Sequence, residues 1–251
     1  RIKIFGDDTK REVEAALRFF NSKNLNNLVI DLRGNPGGKL DEAIAISDFF
    51  LEKGKVIVTT KGREGSGQIQ ESKSQNDPLY RGTIIVLVNK GSASASEILA
   101  GALKDNGRGK LLGEKTFGKG SVQRLFELSD LVGITLTVAK YFTPSGVCIH
   151  GVGINPDFVV SGQIIPDSER PAVNQIIKGK ILEDFAKANK TYNDDSRKKF
   201  IDLLRSRNIT LSERSANYML MTETGRYAKQ ALYNLEFDQQ LARAVAVLNE
   251  K

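Results

Sequence analysis

Histidine is almost absent from this sequence: His150 is the only one among 251 residues. Any chemistry that needs an imidazole base therefore depends on that residue alone. Cysteine is equally scarce, because Cys148 has no second cysteine to pair with. This excludes an intramolecular disulfide and any metal site built from several cysteines. A lone cysteine carries no information about the redox compartment.

Long apolar runs are also missing. No stretch approaches the roughly 18 residues that a membrane-spanning helix needs, and no signal peptide opens the chain. The sequence begins without methionine, so we expect upstream segments to have been removed. The lack of a targeting signal therefore says little about where the protein resides.

The composition is that of a folded protein with a basic surface. Apolar residues make up 40% of the chain, enough to bury a core, and the formal net charge is +7. Lysine and arginine are scattered, and no basic stripe with interleaved aromatic residues is present. This pattern disfavours nucleic-acid binding, although acidic partners are compatible with it.

The first two thirds of the chain alternate between strand and helix patterns. "LVIDLR" and "TIIVLVN" are short apolar runs typical of buried strands, and amphipathic helices surround them. Thr9 and Glu12 have the spacing of a capping box, and Gly54 is placed to end the second helix. We predict an α/β fold with a mostly parallel sheet built from βαβ units.

Three further predictions complete the organisation. The polar, glycine-rich residues 61–82 indicate a long surface excursion. "SVQRLFEL" and "GITLTVAKYFTP" alternate well enough to form an antiparallel hairpin. From about residue 162 only helical patterns occur, which predicts two parts: a strand-containing unit over 1–161 and a helical C-terminal region over 162–251.

Three serines stand at alternate positions in "GSASASEILAG", between the most apolar strand and a helix predicted over 95–105. In α/β proteins reacting groups lie at such strand-to-helix turns. Ser94 could be a nucleophile, but Ser92, Ser94 and Ser96 could equally be helix caps or small packing residues, since Glu97 has capping-box spacing from Ser94. The esterase-type pattern Gly-x-Ser-x-Gly is not matched.

A serine nucleophile needs a base, and the sequence offers two kinds. His150 has no acidic partner in its local sequence, so a surface or turn position is the simpler interpretation. The alternative is a lysine made neutral by burial, since desolvation lowers a lysine's pKa. Lys119 lies between two glycines that would let its backbone approach another segment closely.

Gly113 to Lys119 also imitates a phosphate-binding P-loop. However, Gly120 occupies the position where serine or threonine should hold magnesium. The segment that follows has a strand pattern, whereas a P-loop must open a helix. Nucleotide binding is therefore disfavoured.

The segment "GSASASEILAGALKDNGRGKLLGEKTFGKGSVQ" resembles the active-site segment of the carboxyl-terminal processing proteases, also called tail-specific proteases. It has Ser-Ala-Ser-Glu, then Gly-Lys-Gly, then glutamine, with 25 residues from Ser94 to Lys119. "DLRGNPGG", "AKYFTPSG" and "GINPD" are similar to further stretches of that family. The resemblance covers roughly residues 1–160, and several motifs in order make it specific.

The resemblance implies a serine peptidase whose catalytic core spans residues 1–161. Ser94 would be the nucleophile, Lys119 the general base, and Gln123 the residue that holds the lysine amine. The backbone amides of Gly38 and Ala95 would form the oxyanion hole. Neither a metal nor a cofactor is expected.

The family's substrates are proteins or peptides with unstructured, apolar C-termini, and its enzymes act outside the cytoplasm, in the bacterial periplasm or at the membrane, or in the chloroplast lumen. A PDZ domain typical of the family is not visible in this chain. Two alternatives therefore stay open: an inactive fragment that lacks its PDZ domain, or a non-catalytic binding module on the same core, as in retinoid-binding proteins of the eye. The oligomeric state is not predicted, and a docking or dimerisation role for 162–251 is conjecture.

Overall fold

The computed structural model describes residues 1–63, 66–129, 132–162, 164–228 and 233–250, with only the backbone of 124 and 125. The chain divides into two compact units. One consists of Arg1–Ser161 together with Gln240–Lys251, and the other is Gly162–Gln239. The chain thus leaves the first unit near the predicted boundary and returns to it with its last helix.

A parallel sheet forms the centre of the first unit. Its strands stand in the order β1-β4-β5-β8, with all neighbours parallel. These strands are β1 (Asn27–Asp31), β4 (Thr83–Val88), β5 (Lys110–Gly113) and β8 (Phe158–Val159). The predicted α/β class with parallel strands is confirmed.

A second, antiparallel sheet has the order β3-β2-β7-β6. Its strands are β2 (Val56–Gly62), β3 (Ile69–Lys73), β6 (Ser121–Ser129) and β7 (Val132–Phe142). The predicted hairpin is confirmed as β6 and β7. The described residues of the predicted surface excursion over 61–82 are largely exposed, but the sequence did not predict the strand β3 within it. The side chains of β3 are largely exposed, so they show no apolar alternation, and backbone bonds to β2 define the strand.

Helices cover both faces of the parallel sheet. They are α1 (Thr9–Ser22), α2 (Leu40–Asp48), α3 (Ala95–Asp105) and the final helix α8 (Gln239–Asn249). Helix α2 ends before the predicted Gly54 because Phe50 and Leu51, each 1% exposed, turn into the core. The predicted strand over 1–5 is reduced to a single bridge between Phe5 and Gly38.

Strand β4 is the buried axis of this unit. Alternate residues, Ile84, Val86 and Val88, pack in the large core with α1, α2 and α3. The opposite face, with Ile85 and Leu87, packs in a smaller apolar cluster to which α8 contributes. A strand apolar on both faces is the pattern expected at the centre of a covered parallel sheet. It delivers the chain directly to the serine-rich turn.

The second unit is helical in its described residues, as predicted. Its helices are α4 (Arg170–Lys178), α5 (Ile181–Ala188), α6 (Asp194–Ser206) and α7 (Glu213–Thr224), preceded by a short 3-10 turn at Asp167–Glu169. They enclose an apolar core of their own around Phe200 and Leu220, both fully buried. Nowhere in the described part of the chain is a helix long and apolar enough to span a membrane.

Candidate active site

The serine-rich turn connects the end of β4 to the start of α3. Ser94 immediately precedes the helix and has φ 56° and ψ −116°, a conformation that costs free energy in a residue with a side chain. Ala93 and Ala95 on either side are buried, while Ser94 remains partly exposed. A strained, partly exposed serine between a buried strand and a buried helix has the placement of a nucleophile elbow.

Ser92 and Ser96 have structural contacts instead. Both are fully buried, and their hydroxyl groups donate to the carbonyl oxygens of Leu32 and Asn35 at 2.8 and 3.0 Å. These bonds tie the turn to the segment that follows β1. Of the three serines, Ser94 alone is not fully buried.

The glycine turn after β1 presses against this serine turn. A Cβ atom on Gly37 would lie 2.8 Å from both the Ala93 carbonyl oxygen and the Ser94 Cβ, and Gly37 has φ 108°. Gly38, with φ 139°, approaches Phe5 just as closely, since its Cβ would lie 2.2 Å from the Phe5 carbonyl oxygen. Glycine, which has no Cβ, is needed at both positions for the backbone to approach its neighbours this closely.

The two backbone amides predicted as an oxyanion hole are both left unbonded. Within the described residues, neither the Gly38 N–H nor the Ala95 N–H has a hydrogen-bond acceptor. The Gly37 N–H, by contrast, donates to Asn35 Oδ1 at 2.9 Å, and the backbone groups flanking Gly38 pair with Phe5. Unpaired donors at a helix start and a glycine turn suit an oxygen that gains negative charge.

Glu97 joins the serine turn to the glycine–lysine–glycine segment. Its carboxylate is fully buried, and Oε2 accepts the backbone N–H groups of Ser94 (2.9 Å) and Lys119 (2.8 Å). Oε1 accepts the Thr116 hydroxyl (2.5 Å) and the Gly118 N–H (2.8 Å). Because both backbone nitrogens bond to one oxygen atom, Ser94 and Lys119 are close neighbours in space although 25 residues separate them.

The glycines around Lys119 allow its segment to lie against the turn that contains His150. A Cβ on Gly120 would stand 2.4 Å from the backbone nitrogen of His150, and one on Gly118 would stand 3.0 Å from that of Gly153. Gly118 also accepts a backbone hydrogen bond from Gly151 at 2.9 Å. His150 itself is exposed in this turn.

The side chains of the predicted catalytic residues are less closely associated than their backbones. The side chains of Lys119 and Gln123 are both exposed, and Gln123 lies in β6 opposite Thr137. The structure, which describes all of these residues, has no hydrogen bond between the Ser94 hydroxyl and the Lys119 amine, or between that amine and Gln123. The structure therefore brings the backbones of Ser94 and Lys119 together and leaves the N–H groups of Gly38 and Ala95 without an acceptor, but it has no hydrogen bond that joins the side chains of Ser94, Lys119 and Gln123.

Other ionisable groups nearby have partners of their own. Lys39, next to Gly38, hydrogen-bonds to Asp7, and this bond and the Asp7 charge raise the pKa of Lys39. Burial, with a smaller contribution from the Asp41 charge, raises the pKa of the Tyr141 hydroxyl. No group of three or more histidine, cysteine, aspartate or glutamate side chains in the described ranges could hold a metal ion.

Two residues of the site were not anticipated from sequence as parts of it. The sequence shows Glu97 as a capping partner of Ser94 and as part of the Ser-Ala-Ser-Glu motif, but it does not show the contacts of its carboxylate, because three of its four donors lie about 20 residues further along the chain. Asn35 was part of a motif but had no assigned role. Hydrogen bonds between residues that are distant in sequence produce no periodic pattern from which they could be predicted.

Comparisons with known proteins agree with the motifs. The profile of peptidase family S41 matches residues 1–160. Among similar proteins, a carboxy-terminal-processing protease of Bartonella bacilliformis is 45% identical over 171 residues, covering 66% of this chain and 39% of its own length. A carboxyl-terminal-processing protease of Synechocystis sp. is 47% identical over 170 residues, covering 67% of this chain and again 39% of its own length.

A solved structure of similar fold is the photosystem II D1 C-terminal processing protease, with a TM-score of 0.61 and 35% identity over 66% of this chain and 42% of that one. The chain thus spans about two fifths of the length of these relatives. The family match ends beside Ser161, where the first unit's main segment ends. The resemblance predicted from the motifs is confirmed, and the chain belongs to peptidase family S41, the family of the carboxyl-terminal processing serine proteases.

Proposed function

We propose that the first unit is the catalytic core of a serine endopeptidase with a Ser94–Lys119 dyad that cleaves proteins near their C-termini. The observation that carries this proposal is the shared oxygen of Glu97, which holds the backbones of Ser94 and Lys119 side by side. The free N–H groups of Gly38 and Ala95 support it further. A binding module would need neither a strained serine nor unpaired amides next to it.

The proposed reaction follows acyl transfer. Ser94 Oγ attacks the carbonyl carbon of a peptide bond while Lys119 Nζ takes the hydroxyl proton, and the carbonyl oxygen becomes an oxyanion facing Gly38 and Ala95. The C–N bond then breaks, and the leaving amine receives the proton from Lys119. Lys119 Nζ then takes a proton from water, which attacks the acyl carbon; the bond between that carbon and Ser94 Oγ breaks, and Lys119 returns the proton to Oγ.

The exposed amine of Lys119 must move to Ser94 for this chemistry. Its backbone is fixed by Glu97 and by the flanking glycines, and the flexible four-carbon stem supplies the reach. Catalytic hydrogen bonds are often long or poorly aligned before substrate binds. We propose that a bound peptide closes the dyad and removes water from the amine, which favours its neutral form, with Gln123 orienting it.

The relatives named as carboxyl-terminal processing proteases suggest the substrate class. We propose unstructured polypeptides with apolar C-termini, cleaved outside the cytoplasm. Ser94 is only partly exposed, so an extended substrate polypeptide would reach it more easily than a folded one.

The test is cleavage of an unstructured peptide with apolar C-terminal residues by the purified protein, followed by mass spectrometry. Ser94→Ala and Lys119→Ala should abolish turnover while the circular dichroism spectrum stays unchanged. His150→Ala is the matched control, because His150 lies beside the same segment and should be dispensable. Retained turnover in Lys119→Ala, or its loss in His150→Ala, would overturn the dyad.

A further inference from the structure

Asn35 is a fully buried polar residue in the loop that follows β1, and every polar group of its backbone and side chain is hydrogen-bonded. We propose that Asn35 is the positioning residue that sets both halves of the oxyanion hole, the Gly38 N–H and the Ala95 N–H. This inference rests on the proposed function, and it adds a residue that touches neither substrate nor the reacting atoms.

On the glycine side, Asn35 decides which amide is free. Its Oδ1 accepts the Gly37 N–H at 2.9 Å across Pro36, an Asx-turn that fixes the next peptide unit. The Gly37 N–H is hydrogen-bonded to Asn35, whereas the Gly38 N–H has no acceptor. Of these two adjacent amides, Gly38 therefore has the one that is available to an oxyanion. Proline at the intervening position restricts Asn35 itself to an extended conformation.

The asparagine side chain is anchored from behind. Its Nδ2 donates to the Ile2 carbonyl oxygen at 3.0 Å, and the Ile2 N–H donates in turn to the Asp31 carbonyl oxygen at the end of β1, also at 3.0 Å. The side chain therefore spans from the sheet to the glycine turn. Both ends of its amide are required, since only an uncharged carboxamide offers one donor and one acceptor here.

On the nucleophile side, the main-chain carbonyl of Asn35 holds the serine turn. Its oxygen accepts the Ala93 N–H at 3.0 Å and the Ser96 hydroxyl at 3.0 Å. These two donors flank Ser94 and Ala95 in the chain. The same residue thus fixes the turn that carries the Ala95 N–H and the turn that carries the Gly38 N–H.

A neutral side chain at this position also matters electrostatically. Asn35 lies within hydrogen-bond distance of Gly37, the neighbour of Gly38, so it is next to the place where the oxyanion forms. Aspartate would keep the shape and the Oδ1 acceptor, but it would lose the donor to Ile2 and add a negative charge near the developing one.

The test compares Asn35→Ala and Asn35→Asp with Asn106→Ala in peptide turnover. Asn106 is a suitable control because its side chain also donates to two main-chain carbonyls, those of Val56 and Ala102, but at the far end of α3. Loss of alignment of an oxyanion donor lowers kcat by about a hundredfold or more, with KM little changed. We expect this for both Asn35 variants, and an unchanged kcat for Asn106→Ala.

A second measurement makes the inference independent of activity. In ¹⁵N-labelled protein, the amide resonances of Gly38 and Ala95 should shift together in Asn35→Ala and stay in place in Asn106→Ala. If the wild type cleaves peptides but the Asn35 variants keep a kcat equal to that of Asn106→Ala, the inference fails and the proposed function stands. If the wild type does not cleave, the proposed function fails, and unshifted Gly38 and Ala95 resonances then overturn the positioning role as well.

Discussion

The two sides of the candidate site differ in how firmly they are held. On the nucleophile side, named for the role proposed for Ser94, this residue lies in a turn whose neighbours are buried and hydrogen-bonded to the segment that follows β1. On the base side, named for the role proposed for Lys119, Glu97 and the flanking glycines hold the backbone in place, but the side chains of Lys119 and Gln123 are exposed. The nucleophile side is therefore ordered before substrate binds, whereas the base side combines an ordered backbone with exposed side chains.

This difference separates two requirements of acyl transfer. Stabilisation of an oxyanion needs donors that are already oriented when charge develops, and buried backbone supplies them without reorganisation. A lysine base needs to lose water only while it works, and an exposed, flexible side chain can do so when substrate covers it. Changes on the nucleophile side should therefore reduce activity more than changes on the base side outside Lys119.

The largest effect is expected where the two turns touch. Gly37→Ala places a Cβ 2.8 Å from Ala93 and Ser94 at φ 108°, so the turns must separate. Misplacement on this scale should lower kcat/KM by about a thousandfold. Gly107→Ala is the matched control: it also has positive φ, 68°, but nothing lies within 4 Å of its Cβ. That variant should lose about 1–2 kcal/mol of stability in urea unfolding and keep its kcat. Equal kcat in the two variants would contradict close packing of the turns.

A smaller but still large effect is expected at Glu97, whose carboxylate connects the two sides. In Glu97→Gln, the new NH₂ group must face either the Ser94 and Lys119 amides or the Thr116 and Gly118 donors. A donor then faces donors in a buried place, which should cost about 3 kcal/mol of unfolding free energy and about a hundredfold in kcat.

Chemical denaturation and steady-state kinetics of Glu97→Gln measure both effects. The control is Glu127→Gln on the exposed part of β6, which should change neither. If Glu97→Gln behaves like the control, the four bonds of this carboxylate do not hold the site together.

A moderate effect is expected on the base side. Gln123→Ala removes an exposed side chain that we propose orients the lysine amine, so kcat should fall by about tenfold while KM stays nearly unchanged. Gln70→Ala, at an exposed position in β3, is the control. Steady-state kinetics of the wild type and the two variants measure the effect. A kcat of Gln123→Ala equal to that of the wild type would remove Gln123 from the mechanism.

Much of this architecture could be predicted from sequence, and the exceptions share a cause. The apolar run of β4 and the helix at 95–105 were predicted correctly, because burial and capping leave local signals. Strand β3 was missed because backbone pairing with β2, not apolar alternation, defines it. The contacts of Glu97 with Thr116, Gly118 and Lys119 were missed because these partners are distant in sequence. Helix α8 was predicted as a helix, but nothing local indicates that it packs with the first unit, across 78 intervening residues of the second.

The smallest effect on activity is expected at α8, where the consequence should be structural. Gln240 is 2% exposed, and its side-chain amide accepts from Arg33 Nη1 at 3.1 Å and donates to the Val160 carbonyl oxygen at 2.8 Å. Gln240→Ala leaves these partly buried groups without this partner, which should lower the free energy of unfolding by about 2 kcal/mol. The neighbouring Gln239 is exposed, so Gln239→Ala should be neutral. Because Gln240 lies outside both turns, kcat at a temperature where each variant is folded should be unchanged. Equal stability of the two variants would show that the hydrogen bonds of Gln240 between α8 and the end of β8 do not stabilise the unit. A loss of kcat in Gln240→Ala would show that the geometry of the nucleophile side also depends on α8.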